Sequence, residues 1–146
     1  MSPDRNPILQ AFLARLAALP EGRPARTLTL PREPDGYSIP GVLSQAHDYF
    51  HPAHPLPDQA RVVKGINYWL VPPGVGLRHV RVPTGGTPND AFTHYFTLLL
   101  PDDTLVTTEV QEDSYQPELQ FVIAANDEAA AARVEKKLEE EMKRMK

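Results

Sequence analysis

Histidine is the residue type in this sequence whose spacing most directly suggests chemistry, because a neutral imidazole binds metals and titrates near neutral pH. The 146 residues contain five histidines. His47 and His51 are four residues apart, so on a helix they would share one face and could chelate a divalent ion. Pro52 and Pro55 would end that helix before His54. His47 and His51 are therefore candidate metal ligands, and the simpler alternative is a set of loop histidines beside an aromatic anchor.

A second candidate cluster arises when the predicted strands are paired. Symmetric closure of one turn places His79 opposite His94, and a two-residue turn after Leu100 places His94 opposite Glu109. Tyr68 would lie beside His79. Directly opposed side chains have Cβ atoms about 4.5–5.5 Å apart, so two histidines and a carboxylate could hold a divalent metal. Alternatively, Glu109 could orient His94 as a general base.

The composition excludes several other kinds of site. The sequence has no cysteine, which excludes disulfides, cysteine-ligated metal centres and thiol catalysis. Glycine-containing turns at residues 74–76 and 85–86 do not continue into the Lys-Ser or Lys-Thr of a phosphate-binding loop. A divalent metal is the cofactor that the histidines could hold, and otherwise no cofactor is expected.

Three helices are predicted among the elements that position these residues. Apolar side chains at three- and four-residue spacing predict a helix over 7–19, which Pro20 ends. A shorter helix is predicted over 42–50, inside a proline-rich connecting region that spans 20–60. The third runs over 127–145, with an acidic start and a basic end that suit the helix dipole.

Residues 61–124 change to a two-residue period typical of β-strands. Strands are predicted over Val62–Val71, Gly76–Val82, Ala91–Leu100, Thr104–Val110 and Glu118–Ala124, with a further short one at 26–30. Their short connections favour antiparallel neighbours. The predicted fold is α+β: residues 1–146 form one domain, in which an antiparallel five- to six-stranded β-meander lies between an N-terminal helix and a long charged C-terminal helix.

The apolar stripe of the C-terminal helix is narrow, about two residues in seven, and favours packing on a single partner. Leu138, Met142 and Met145 of this stripe could contact a second copy, and the alternative is that the helix docks on its own sheet. Trp69 and Tyr95 would add aromatic side chains on the sheet face opposite the histidines. These five residues are the predicted binding surface.

The formal net charge is −4, and acidic residues outnumber basic ones in the second half of the chain. No segment forms the basic stripe of a nucleic-acid footprint, so nucleic acid is not an expected partner. A local positive patch could still form from Arg15, Arg23, Arg26 and Arg32. The sequence begins without the pattern of a signal peptide and contains no run of ~20 apolar residues that could span a bilayer. A cytoplasmic location without membrane contact is expected.

The order helix, meander, helix is similar to that of small bacterial chaperone and adaptor domains that dimerise, a similarity of element order that rests on no motif. It implies a non-enzymatic protein-interaction domain that forms a homodimer or binds another protein, and this is the leading functional hypothesis. The alternative is a small metal-assisted enzyme or small-ligand-binding domain that uses His79, His94 and Glu109.

Overall fold

The computed structural model of the protein describes residues 7–31, 38–56, 74–83, 92–111 and 118–144. In chain order the elements are α1 (Pro7–Ala17), β1 (Ala25–Pro31), α2 (Ser38–Phe50), β2 (Leu77–Pro83), β3 (Phe92–Leu99), β4 (Leu105–Gln111), β5 (Glu118–Ala124) and α3 (Glu128–Arg144). The predicted α+β class, with a helix at each end of an antiparallel sheet, is confirmed. The predicted strand Val62–Val71 lies outside the described residues, and so do Trp69 and Met145.

The helix ends follow from local sequence. Pro7 occupies the first position of α1, where its missing N–H leaves no helical hydrogen bond unmade. The Asp127 carboxylate accepts a hydrogen bond from Ala130 N at 2.8 Å and so caps α3. The second helix starts at Ser38, four residues before its predicted start.

The five described strands form one sheet in the order β1-β5-β4-β3-β2. Strands β2 to β5 are four of the five strands of the predicted meander, and each pairs with the next one along the chain. Strand β1 pairs antiparallel with β5 over its whole length, from Ala25 opposite Ala124 to Pro31 opposite Glu118. The fifth strand therefore comes from the N-terminal part of the chain and closes the edge that the meander leaves at β5.

Alternation along the strands gives the sheet two faces. The inner face carries the buried apolar side chains of the core, namely Leu28, Leu30, Leu77, Phe96, Leu98, Val106, Val110, Leu119, Phe121 and Ile123. Buried side chains of two helices belong to the same cluster, among them Val42, Leu43, Ala46, Val134, Leu138 and Met142. Helices α2 and α3 therefore pack on the inner face, and the intervening strand residues form the outer face.

The apolar stripe of α3 faces this core. Leu138 is 0% exposed and Met142 4% exposed. Because both side chains lie within the chain's own core, they do not form the exposed binding surface predicted for them. Of the helices in the described ranges, α3 included, none is long and apolar enough to cross a membrane.

The turn between β3 and β4 fixes the register of the two strands. Leu100 N donates to Thr104 O at 2.9 Å, so the loop has three residues where two were predicted. The added residue, Asp103, has a φ of 69°, the left-handed conformation that ends a three-residue hairpin loop. Asp102 Oδ1 stabilises this turn by accepting a hydrogen bond from Thr104 N at 3.1 Å. The longer loop shifts β4 by one residue relative to β3.

Candidate functional site

His79 and His94 meet on the inner face, but not as directly opposed residues. His79 lies opposite Phe96, and Arg81 lies opposite His94. Strand β2 ends one residue later than predicted and β3 begins one residue later, so their connection is displaced by one residue along the chain. This moves the register by two residues and preserves the face. The two histidines are therefore diagonal neighbours, with His79 Nε2 2.7 Å from His94 Nδ1.

This imidazole pair is held by its surroundings. His94 is 0% exposed, and its ring lies 5.0 Å from that of His79. The Phe96 ring stacks on His79 at 4.4 Å and an interplanar angle of 17°. At a nitrogen–nitrogen distance of 2.7 Å, one nitrogen donates a proton and the other accepts it. The contact therefore needs at least one of the two rings to be neutral.

Glu109 does not join the two histidines, and the predicted pairing of His94 with Glu109 is wrong. His94 lies opposite Val110, while Glu109 lies opposite Tyr95 on the outer face. The cause is the one-residue shift made by Asp103 in the turn, which turns every β4 side chain to the other face. Across the described ranges, no group of three or more His, Asp or Glu side chains could hold a metal ion.

The other predicted pair, His47 and His51, lies on α2 with its rings stacked at 4.7 Å. Both nitrogens of His47 are engaged: Nδ1 contacts Asp48 Oδ1 at 3.0 Å, and Nε2 accepts a hydrogen bond from Gly76 N at 3.1 Å. His51 Nε2 donates to Leu99 O at 2.8 Å. The predicted helical spacing is present, and these bonds use both nitrogens of His47 and Nε2 of His51. The pair connects α2 to the sheet.

The chain that leads into β2 passes very close to these rings. A Cβ atom at Gly76 would overlap His51 Nε2 and Leu99 O, and one at Gly74 would overlap the Leu56 side chain. Only glycine fits at such separations. The Gly-x-Gly sequence immediately before a strand could have indicated this close approach. We predicted only a turn there.

Burial changes the acid–base behaviour of His51. It lowers the pKa of His51 below its ordinary value of 6.5, against the hydrogen bond to Leu99 O, which raises it. The positive charges of Arg15 and His54 lower the pKa of His51 further. His51 therefore favours its neutral form, which suits a ring stacked on another buried imidazole.

A cluster of charged side chains surrounds the turn at the other end of β3. Arg15 Nη2 donates to Leu100 O at 2.8 Å and lies 3.3 Å from Asp103 Oδ1. Arg23 Nη1 donates to Asp103 O at 2.8 Å. Arg15 and Arg23 of the predicted positive patch are thus bound to this acidic turn, while Arg26 pairs with Glu135 of α3. Arg32 lies outside the described residues.

Asp102 also belongs to this charged turn. Burial raises the pKa of Asp102, but hydrogen bonds from Thr104 and the nearby Arg133 guanidinium outweigh it and lower the pKa below its ordinary 3.8. Arg133 Nη2 lies 3.5 Å from Asp102 Oδ2. The carboxylate therefore stays ionised over the physiological range.

The outer face combines exposed apolar side chains with hydroxyls. Val82 is 45%, Tyr95 44% and Val122 43% exposed, and all three project from this face. Thr97 and Thr107 lie opposite each other between them. Tyr95 is the one described member of the predicted binding surface whose side chain is exposed. No protein-family model, curated protein or solved structure matches this chain.

Proposed function

We propose that this protein is a non-enzymatic protein-interaction domain that self-associates through the outer face of its sheet. The observation that supports the proposal is the exposure of Tyr95, Val82 and Val122 on one side of the sheet. Aromatic side chains at the centre of a face, surrounded by smaller neighbours, are typical of residues that dominate binding energy.

The outer face suits a sheet-on-sheet contact. The neutral side chains of Thr97 and Thr107 lie beside Tyr95 on this face. Two antiparallel sheets pack with their strand directions within about 30° of each other, and their side chains interdigitate. Short threonine and valine side chains allow such an approach, and Tyr95 would provide the largest contact area.

The charges on this face favour a second copy as the partner. Arg78 on β2 and Glu109 on β4 lie on the outer face, on either side of β3. A two-fold axis parallel to β3 would stack β2 of one copy over β4 of the other. Arg78 of each copy would then approach Glu109 of its neighbour, so the arrangement would be complementary in charge as well as in shape.

Sedimentation equilibrium of the full chain tests this proposal. We expect a reversible dimer, which Tyr95→Ala weakens by about 30-fold or more, the usual cost of losing a central aromatic residue. Arg78→Glu should also weaken the dimer, and the double change Arg78→Glu/Glu109→Arg should restore it. The matched control is Tyr49→Ala, because Tyr49 is 62% exposed on α2, away from the outer face.

A strictly monomeric protein at 0.1–1 mM (about the weakest range of specific self-association) would contradict the proposal. So would a dimer that Tyr49→Ala and Tyr95→Ala weaken equally. Elemental analysis addresses the alternative of a metal-assisted function. A stoichiometric metal lost in His79→Ala would favour that alternative instead.

A further inference from the structure

Four of the five histidines lie in or next to the contacts of one segment of the chain. The segment 74–83, which contains β2 and the residues that lead into it, is contacted by His47 through Gly76 N and carries His79, which contacts His94. His51 donates a hydrogen bond to Leu99 O. The N–H of the same residue, Leu99, donates to Gly76 O at 2.7 Å, which connects His51 to the segment. Strand β2 is also the edge of the described sheet.

The contact between His47 and Gly76 requires an unprotonated ring. A backbone N–H can donate only to a nitrogen that carries a lone pair, and His47 Nε2 is that acceptor. His47 is 0% exposed, so a proton on Nε2 would be aimed at the Gly76 N–H without access to water. Protonation of His47 therefore breaks this bond.

The charged groups around His47 and His51 have opposite effects on the protonation of these two rings. The Asp48 carboxylate contacts His47 Nδ1 at 3.0 Å and favours a positive ring, although its Oδ1 also accepts from Leu56 N at 2.9 Å. Arg15 of α1 and His54 of the following turn disfavour a positive charge on His51. The stacked rings disfavour charging each other, since two like charges would lie 4.7 Å apart.

The contact between His79 and His94 also depends on protonation. His79 Nε2 and His94 Nδ1 cannot both carry protons while they remain 2.7 Å apart. Glu109, the carboxylate predicted beside His94, lies on the other face. Protons on both facing nitrogens would therefore separate the rings.

We infer that the histidine contacts form a pH-sensitive attachment of β2: neutral imidazoles hold segment 74–83 against α2 and β3, and their protonation loosens it. For His47 the sign follows from the Gly76 bond, which a protonated Nε2 cannot accept. For His51 the sign follows from burial. A histidine whose pKa is lowered in the folded state stabilises it above the unfolded value of 6.5, and this contribution is lost as the pH falls below 6.5. Each proton taken up on opening increases the opening constant about tenfold per pH unit within that window.

Amide hydrogen exchange of the full chain between pH 7.5 and 5.5, corrected for intrinsic rates, measures the attachment directly. We expect protection of Gly76 N–H to fall by about tenfold per pH unit below 6.5, while amides of β5 keep theirs. The double variant His47→Gln/His51→Gln should lose this dependence, because Gln offers an acceptor to Gly76 and a donor to Leu99 without titrating. His54→Gln, at an exposed histidine one turn later, is the matched control and should retain it.

Nitrogen-15 chemical shifts of the histidine rings give a test that needs no variant. At pH 7.5 we expect His47 with its proton on Nδ1 and His51 with its proton on Nε2. A proton on Nε2 of His47, or Gly76 protection that is unchanged down to pH 5.5, would overturn the inference. Equal loss of protection at Gly76 and in β5 would also overturn it, because it would indicate global unfolding.

Discussion

The two edges of the described sheet are attached to the helices by different chemistry. At the β1 edge, Arg26 forms an ion pair with Glu135 of α3. At the β2 edge, His47 and His51 of α2 make uncharged hydrogen bonds to the backbone of Gly76 and Leu99. One edge depends on guanidinium and carboxylate, the other on neutral imidazole.

Because of this difference, the contacts at the two edges should be lost in separate pH ranges. Unperturbed carboxyl groups titrate at about pH 4, whereas unperturbed imidazoles titrate at about pH 6.5. Mild acid therefore acts on the β2 edge and leaves the β1 edge intact. The difference also extends to burial: His47 is fully buried, while the side chains of Arg26 and Glu135 are 41% and 23% exposed.

The largest loss of stability should come from adding a side chain at Gly76, beside the histidines of α2. Gly76→Ala places a Cβ against His51 Nε2 and the Leu99 carbonyl, neither of which can move freely. We expect a loss of about 3 kcal/mol in the free energy of unfolding by urea denaturation, the upper range for overpacking.

Gly22→Ala is the matched control for that substitution. Gly22 has a φ of 74° but no atom within 4 Å of a built Cβ, so only backbone strain applies. A cost of about 1 kcal/mol is expected there. Equal costs at Gly22 and Gly76 would show that the close approach to the histidines is not tight.

A smaller effect is expected from the acidic turn at Asp102. Asp102→Ala removes the acceptor for Thr104 N and should cost about 1 kcal/mol at pH 7, the usual worth of one such bond. Asp102→Asn keeps an acceptor and should cost less. Because the folded pKa of Asp102 is lowered below 3.8, its contribution is present above that pH and lost as the pH falls further.

Urea denaturation of Asp102→Ala and wild type across pH 7 to 2 checks this assignment. The difference between them should stay constant from pH 7 to 5, the range in which the histidine edge loses stability, and shrink only below about pH 4. A difference that shrinks between pH 6.5 and 5.5 would contradict the lowered pKa of Asp102.

The smallest effect concerns the ion pair of the β1 edge. A double-mutant cycle with Arg26→Ala and Glu135→Ala should give a coupling of about 0.5 kcal/mol at low salt, because the pair is partly exposed. The coupling should fall in 1 M salt, where the Debye length is about 3 Å. The histidine contacts of the β2 edge should be insensitive to salt, since they carry no net charge.

Local sequence was sufficient for most of the elements. Period-two alternation predicted β2 to β5 within one residue at each end. Apolar spacing predicted α1, and the acidic start and basic end predicted α3. The pairing of β1 with β5 could not be predicted, because Ala25 and Ala124 are brought together by long-range contacts that leave no local pattern. The narrow stripe of α3 was compatible with either a partner or the chain's own core.

The candidate site depended on the register, which is the least local property of a sheet. His79 and His94 are in contact although the predicted register was wrong by two residues, because a two-residue shift keeps both side chains on the same face. The predicted face of Glu109 is wrong, because the register of β4 differs from the prediction by one residue. The cause is Asp103, which adopts a left-handed conformation that is uncommon outside glycine. The Asp103 backbone thus decided which side chains face the histidines.

The sequence by itself determined an α+β protein with five histidines, four of them at spacings that suggest pairs. Those features follow from residue type and periodicity, which act over a few residues. Only the tertiary structure decided that both pairs lie in or next to the contacts of the same segment, and that Leu138 and Met142 are core while Tyr95 is exposed. Burial, register and the close approach at Gly76 are properties of segments far apart in the chain, and packing alone brings them together.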